Sequence, residues 1–158
     1  MSTAGAGEQA LVEVRLLQVP LLLHERVEAH TDGLLREFRL LQQQVDDHDS
    51  GVPARLLQLV AVLSARYDGL TDPQAQLRED ALARGERVLP ELTFRVPAAV
   101  AGASVALGAL LDEADAYCSE GQHLLMLATP PELVRYRHWY LGEFVRQVAG
   151  EPPRPWSG

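Results

Sequence analysis

The sequence predicts an α+β domain with a small sheet of about three or more strands and about five helices, built on three strand-proline-helix units. A short apolar strand, a proline and an amphipathic helix follow one another three times, from Val12, from Glu91 and from His123. With Pro20, Pro97 and Pro130 in register, Leu23, Val100 and Leu133 align, then His30, Leu107 and Tyr140, then Leu34, Leu111 and Phe144. That spacing keeps one face of each helix largely apolar. The chain also has 158 residues, 47% of them hydrophobic, enough to bury one core without covalent staples. Internal duplication and shared local architecture both remain open as origins of the recurrence.

Residues 1–10 read as a disordered leader, 11–150 as a single domain and 151–158 as a proline-rich tail. Leu11 to Val19 alternates imperfectly and predicts a strand. Leu21 to about Gln44 then predicts a long helix with Leu23, Val27, Leu34, Leu35, Phe38 and Leu41 inward. Its outer face carries Glu and Arg at helical spacing, a pattern that supports an exposed helix surface. The polar segment from Val45 to Gly51 reads as a loop; its Asp46, Asp47, His48 and Asp49 are adjacent rather than convergent, so a solvated turn is expected there and not a metal site.

Pro53 to Tyr67 predicts a second helix with Leu56, Leu57, Val60 and Leu63 toward the core, ended by Asp68-Gly69. Asp72-Pro73 then opens a third, to about Arg84, with Leu77, Ala81 and Leu82 as its few apolar residues and Gly85 as its stop. Pro90 separates this helical insert from a short strand, Leu92 to Val96, with Leu92, Phe94 and Val96 on one side. The uncharged run from Val96 to Leu111 is too short to span a bilayer. It reads as a helix buried on most sides, whose Gly102, Ala103, Ser104 and Gly108 let a neighbour approach closely. Its acidic end, Asp112, Glu113 and Asp115, opposes the helix dipole, so either a partner surface or simple solubilising charge is expected there.

The apolar run from His123 to Pro130 predicts a third strand. In the helix that follows, Thr129 is expected to cap, Pro130 to take the first helical position and Glu132 to complete a capping box. Leu133, Tyr136, Tyr140, Phe144 and Val148 share one face. Trp139 stands on a flank with Arg135 and Arg146, a composition that suits a protein interface as well as boundary packing, and His138 lies beside it. In the tail, prolines hold residues 151–156 extended; Trp156 either folds back onto the body or inserts into a partner.

Composition narrows the chemistry. The chain contains no lysine, asparagine or isoleucine, a bias that points to a high-GC bacterial genome. Without lysine there is no phosphate-binding P-loop and no Schiff-base chemistry. A net charge of -8 with no clustered basic face argues against nucleic acid. The single cysteine, Cys118, excludes an internal disulfide, and with no secretory pattern at the N-terminus a cytoplasmic, membrane-free setting is expected. Cys118 has acidic neighbours and reads as inert, while Ser64 and Ser104 lie within helices rather than on a nucleophile turn. No catalytic residues, no cofactor and no metal ligands are therefore assigned.

The opening strand, the helix from Leu21 and the stretch LLQLVAVLSARYDG resemble the start of the anti-sigma-factor kinases of the GHKL ATPase superfamily, over Val12 to Gly69. Val60 stands where that family's second helix carries its Glu, and Ser64 where it carries its magnesium-binding Asn. The Asp-x-Gly-x-Gly nucleotide box is also missing. The resemblance implies a degenerate relative that has lost nucleotide binding and regulates by docking, with a sigma-factor regulator, a STAS-domain antagonist or a phosphatase as partner.

The chain thus reads as a non-enzymatic interaction module in bacterial signalling. Arg135, His138 and Trp139 form one surface, Asp112, Glu113 and Asp115 another, and Trp156 a further contact; the opposite charges of the two surfaces also permit self-association. The alternative is a small-molecule-binding protein or minor enzyme with a pocket near Tyr136 and His138.

Overall fold

A computed structural model of the chain describes residues 10–44, 51–67, 69–119 and 129–158. In chain order these form β1 (Leu11–Pro20), α1 (Leu21–Gln44), α2 (Val52–Arg66), α3 (Asp72–Ala83), β2 (Val88–Pro97), α4 (Val100–Ser119) and α5 (Pro131–Val148). The class is α+β, with five helices and a sheet of two strands among the described residues, fewer strands than expected. The expected third strand falls mostly on residues outside those described, as do the leader and the Asp46–Asp49 loop; the repeat is therefore seen in full only in its first two units.

β1 and β2 pair antiparallel from Leu11 opposite Pro97 to Pro20 opposite Val88. β2 is longer than predicted because Pro90 lies within it rather than before it. The register passes from Leu17 opposite Glu91 to Val19 opposite Leu89, which sets Gln18 against Pro90. Proline has no N–H to give the ladder, and Gln18 adopts a left-handed φ of 58° at this point. The twist moves β1's buried positions from the Val14 and Leu16 phase to Val19, all at 0% exposure. That local inversion is the physical reason for the imperfect alternation of this strand.

One face of the sheet packs on α5: Val14, Leu16, Val19, Leu92, Phe94 and Val96 enclose Phe144, with Trp139, Tyr140 and Val148 at the margin. A second core joins α1, α2 and α4 through Leu34, Leu35, Phe38, Leu56, Leu111, Ala114 and Cys118. A third sets Leu23 of α1 against Leu133 and Tyr136 of α5. Leu34, Leu35 and Phe38 of α1 and Leu133, Tyr136 and Phe144 of α5 are thus buried, as their spacing predicts. α3, whose few apolar residues suggest a surface helix, has Leu77 52% exposed, with Ala81 and Gln74 buried.

α5 begins one residue later than expected. Pro130 has an extended ψ of 144°, because the ring of Pro131 behind it disfavours the helical conformation. Thr129 makes no cap; its hydroxyl meets His30 and Asp115, and Glu132 reaches Arg26 at 3.2 Å instead of closing a capping box.

α4 is not buried on most sides. Gly108 approaches Leu141 of α5, where an added Cβ would lie 3.5 Å from Cδ1, and Ser104 is buried. Gly102, Val105, Ala106 and Ala109 instead form an exposed stripe. Among the described residues no helix is long and apolar enough to cross a membrane.

Candidate functional site

Of the two surfaces expected from sequence, only His138 and Asp112 meet across the α4–α5 seam, which Arg137, not among the expected residues, otherwise holds. Arg137, 6% exposed, donates to Asp112 at 2.5 Å and to Asp115 at 2.8 Å. His138 Nε2 lies 2.8 Å from the same Asp112 oxygen. Glu113 pairs with Arg55 of α2 at 2.5 Å. Burial works against the charge of Asp112, but hydrogen bonds from His138 and Arg137 outweigh it and hold the carboxyl below its usual range. The acidic end of α4 is therefore countered within the chain, which accounts for its standing against the helix dipole. Arg135 is exposed and takes no ion pair among the described residues.

Trp139 and Trp156 occupy each other. Their ring centroids lie 5.6 Å apart, and Trp156 also meets Tyr136 edge-on at 5.4 Å. The tail is thus folded back onto the body. The Trp139 indole donates to the Arg154 carbonyl at 2.9 Å, the Arg154 N–H donates to Glu143 at 3.1 Å, and the Trp156 N–H donates to the Leu17 carbonyl at 3.1 Å. Glu143 is wholly buried and also accepts from Gln147 at 2.8 Å and from Arg146. Satisfied on all sides, this carboxylate fixes the tail.

Sequence reading missed a polar chain between α1 and α5. His24, 5% exposed, sets Nδ1 2.6 Å from the Tyr136 hydroxyl and Nε2 3.1 Å from Glu28, which also takes Arg78 at 3.0 Å. With a neutral ring, Tyr136 O–H donates to Nδ1 and Nε2–H donates to Glu28, so every group is satisfied. The hydrogen bond from His24 holds Glu28 below its ordinary value against the cost of burial. Burial, with Tyr140 beside it, pushes the Tyr136 hydroxyl upward, so the phenol stays protonated and has no nucleophilic character. The one signal available in sequence was the His24/Glu28 pair at i, i+4 spacing.

This chain borders a cavity of about 410 Å3 between α1, α4 and α5, whose walls include Val27, Asp32, Leu107, Arg137, Tyr140 and Leu141. A pocket was expected between the sheet and Tyr136/His138; this cavity includes Tyr136 but no strand residue, and His138 points to Asp112 on the surface. A more apolar cavity of about 330 Å3 lies between the sheet, α2, α4 and α5, lined by Tyr67, Phe94, Val100, Leu107, Tyr140 and Phe144 among others. The Tyr67 hydroxyl is buried without a hydrogen-bond partner among the described residues. Burial pushes the Tyr140 hydroxyl, between the two cavities, up to about 12.

The exposed stripe on the opposite side of α4 lies on a helix packed against α2. Arg55 near the start of α2 meets Glu113 near the end of α4, while Leu63, Ser64 and Tyr67 share a cavity with Val100, Ala103 and Ser104. The two helices therefore run antiparallel. Their outer faces present Val62 at 55% and Val105 at 58% exposure, together with Ala61, Ala65, Gly102, Ala106 and Ala109. Between its ends this patch carries no charge: the Arg55–Glu113 pair and Asp112 stand at one end, and Arg66, exposed one turn beyond Val62, at the other.

Among the described residues no group of three His, Cys, Asp or Glu side chains is placed to hold a metal ion. Cys118 is buried, and burial together with Asp115 and Glu37 pushes its thiol up to about 11. Comparisons with family models, with curated proteins and with solved structures find no match.

Proposed function

We propose that the chain is a non-enzymatic regulatory module that docks a protein partner through the outer face of α2 and α4. The observation that carries this reading is the apolar patch around Val62, Val105 and Ala106, edged by Arg66 and exposed on a chain whose net charge is -8. An apolar centre of small residues permits close backbone approach, and charges at its margin supply orientation. Asp112, Glu113 and His138, at the end of α4 and the adjoining turn of α5, form that margin, with Arg135 beyond them. Trp139 and Trp156 lie outside it and act in tail docking.

The resemblance to degenerate anti-sigma-factor kinases supplies the partner class: a sigma-factor regulator, a STAS-domain antagonist or a phosphatase in a partner-switching circuit. The reading requires neither cofactor nor metal. Titrating purified candidates of these classes against wild type and Ala106→Arg by calorimetry tests it. A complex that forms with wild type and weakens at least tenfold in Ala106→Arg, with unchanged circular dichroism, supports the reading. Equal affinity of both chains excludes this face.

A further inference from the structure

Ser104 of α4 carries a hydroxyl with no partner. The residue is 6% exposed and lines the cavity of about 330 Å3 between the sheet, α2, α4 and α5. Its hydroxyl makes no hydrogen bond among the described residues, not even to the carbonyl four positions back that a helical serine commonly takes. The Tyr67 hydroxyl in the same wall is sealed off; the Ser104 hydroxyl is not, and a molecule in the cavity can reach it. A polar group in this position is unfavourable until something bonds to it.

The walls then restrict what fits. Phe94, Val96 and Phe144, all buried, form the inner end, and Ser64 and Thr71, both exposed, mark the mouth. No Asp, Glu, Arg or His is among the residues lining the cavity. A charged group entering it would lose its hydration and find no counter-ion, so anions and cations are both disfavoured. The volume is more than a close-packed interior leaves empty and falls in the range that small ligands occupy. A ligand alcohol would bring an O–H of its own that needs an acceptor; a carbonyl brings only an acceptor, which the Ser104 O–H satisfies.

We propose that this cavity binds a small neutral carbonyl compound with an apolar body. The body lies on Phe94, Val96 and Phe144, and the carbonyl oxygen accepts from the Ser104 hydroxyl. With Tyr67 sealed and Ser64 and Thr71 in solvent, Ser104 sets the orientation of the ligand. The cavity is on the sheet side of α2 and α4, so the proposal does not depend on protein docking at their outer faces.

The test uses the full chain and calorimetry with three probes of like size: benzylacetone, a neutral ketone, 3-phenylpropionate, an anion, and 3-phenylpropylamine, a cation. Benzylacetone is expected to bind, and each charged probe to bind about tenfold more weakly or less. Ser104→Ala is expected to lower benzylacetone affinity about fivefold, with the melting temperature unchanged or higher because the hydroxyl has no partner to lose. Ala103→Leu, which adds bulk to the cavity wall, is expected to abolish binding and raise the melting temperature. A charged probe binding as tightly as the ketone, full affinity in Ser104→Ala, a lower melting temperature in Ala103→Leu, or no binding of benzylacetone at millimolar concentration overturns the proposal.

Discussion

The side-chain amide of Gln147 lies against the backbone of Arg15 as a further strand would, accepting its N–H and donating to its carbonyl, both at 2.8 Å. Arg15 stands opposite Thr93 in the ladder, and the Thr93 carbonyl, on the far edge of β2, is taken by Gln74 of α3 at 2.8 Å. Two glutamines thus occupy the two free edges of a two-stranded sheet at one rung. Open edges invite pairing with other chains, and an isolated hairpin of two strands is marginal in water.

Gln147→Ala is accordingly expected to be among the more destabilising single changes. It strips partners from the Arg15 backbone and from the buried Glu143 together, a loss of about 3 kcal/mol. Gln74→Ala removes one hydrogen bond and is expected to cost about 1 kcal/mol. Urea denaturation of both variants checks the order; equal effects would mean that the β1 edge is not held as described.

Glu143 and Trp156 hold the tail at its two ends. Trp156→Ala removes a half-buried ring from Tyr136 and Trp139, with an expected cost of about 2 kcal/mol, and leaves Trp139 more solvated. Glu143→Ala unpairs Arg146 and frees the Arg154 N–H, costing about 3 kcal/mol. Tryptophan emission should shift to the red in both variants. An unshifted spectrum in Glu143→Ala would contradict its role as the tail's anchor.

Much of this fold is legible along the chain. Leu92, Phe94 and Val96 alternate because they lie on one face of a strand, and Leu133, Tyr136 and Phe144 recur because they lie on one face of a helix; both are local periodicities. What escapes is polar burial. Gln147 reads as an ordinary exposed glutamine until Arg15, 132 positions away, is brought beside it. Arg137 reads as one more surface arginine until Asp112 and Asp115 enclose it. Gln18 has no sequence signal for a left-handed φ other than a proline on another strand. That His138 and Asp112, 26 positions apart, meet depends on how α4 and α5 pack and has no local signal.

Acid is expected to destabilise the chain in two stages. Burial lowers the proton affinity of His30 against the raising effect of Asp115, so the folded state keeps it neutral more readily than the unfolded state does. Its contribution is complete above the ordinary value of 6.5 and is lost as pH falls through the lower folded value. Glu28 and Asp112, both held below their ordinary values of 4.5 and 3.8, add a second loss as pH falls through their folded values. Thermal melts from pH 7.5 to pH 3 should show both, and His30→Gln should flatten the first alone. Stability rising as pH drops from 7 to 5.5 would be the opposite of this expectation.

Cys118 should resist thiol reagents. With the side chain 6% exposed and its thiol near 11, the thiolate fraction at pH 8 is far below that of a free cysteine. Labelling by a disulfide reagent is expected only after denaturation, and stoichiometric labelling of the folded chain within seconds would show the C-terminal part of α4 to be open.

Docking through the α2 and α4 face is tested most directly by quantitative affinity capture from a lysate of the source organism, with wild-type and Ala106→Arg chains as parallel baits. Mass spectrometry should identify a sigma-factor regulator, a STAS-domain antagonist or a phosphatase at near-equal amount with wild type, and lose it with Ala106→Arg. No protein at comparable amount, or the same partner retained equally by both baits, would contradict docking at this face.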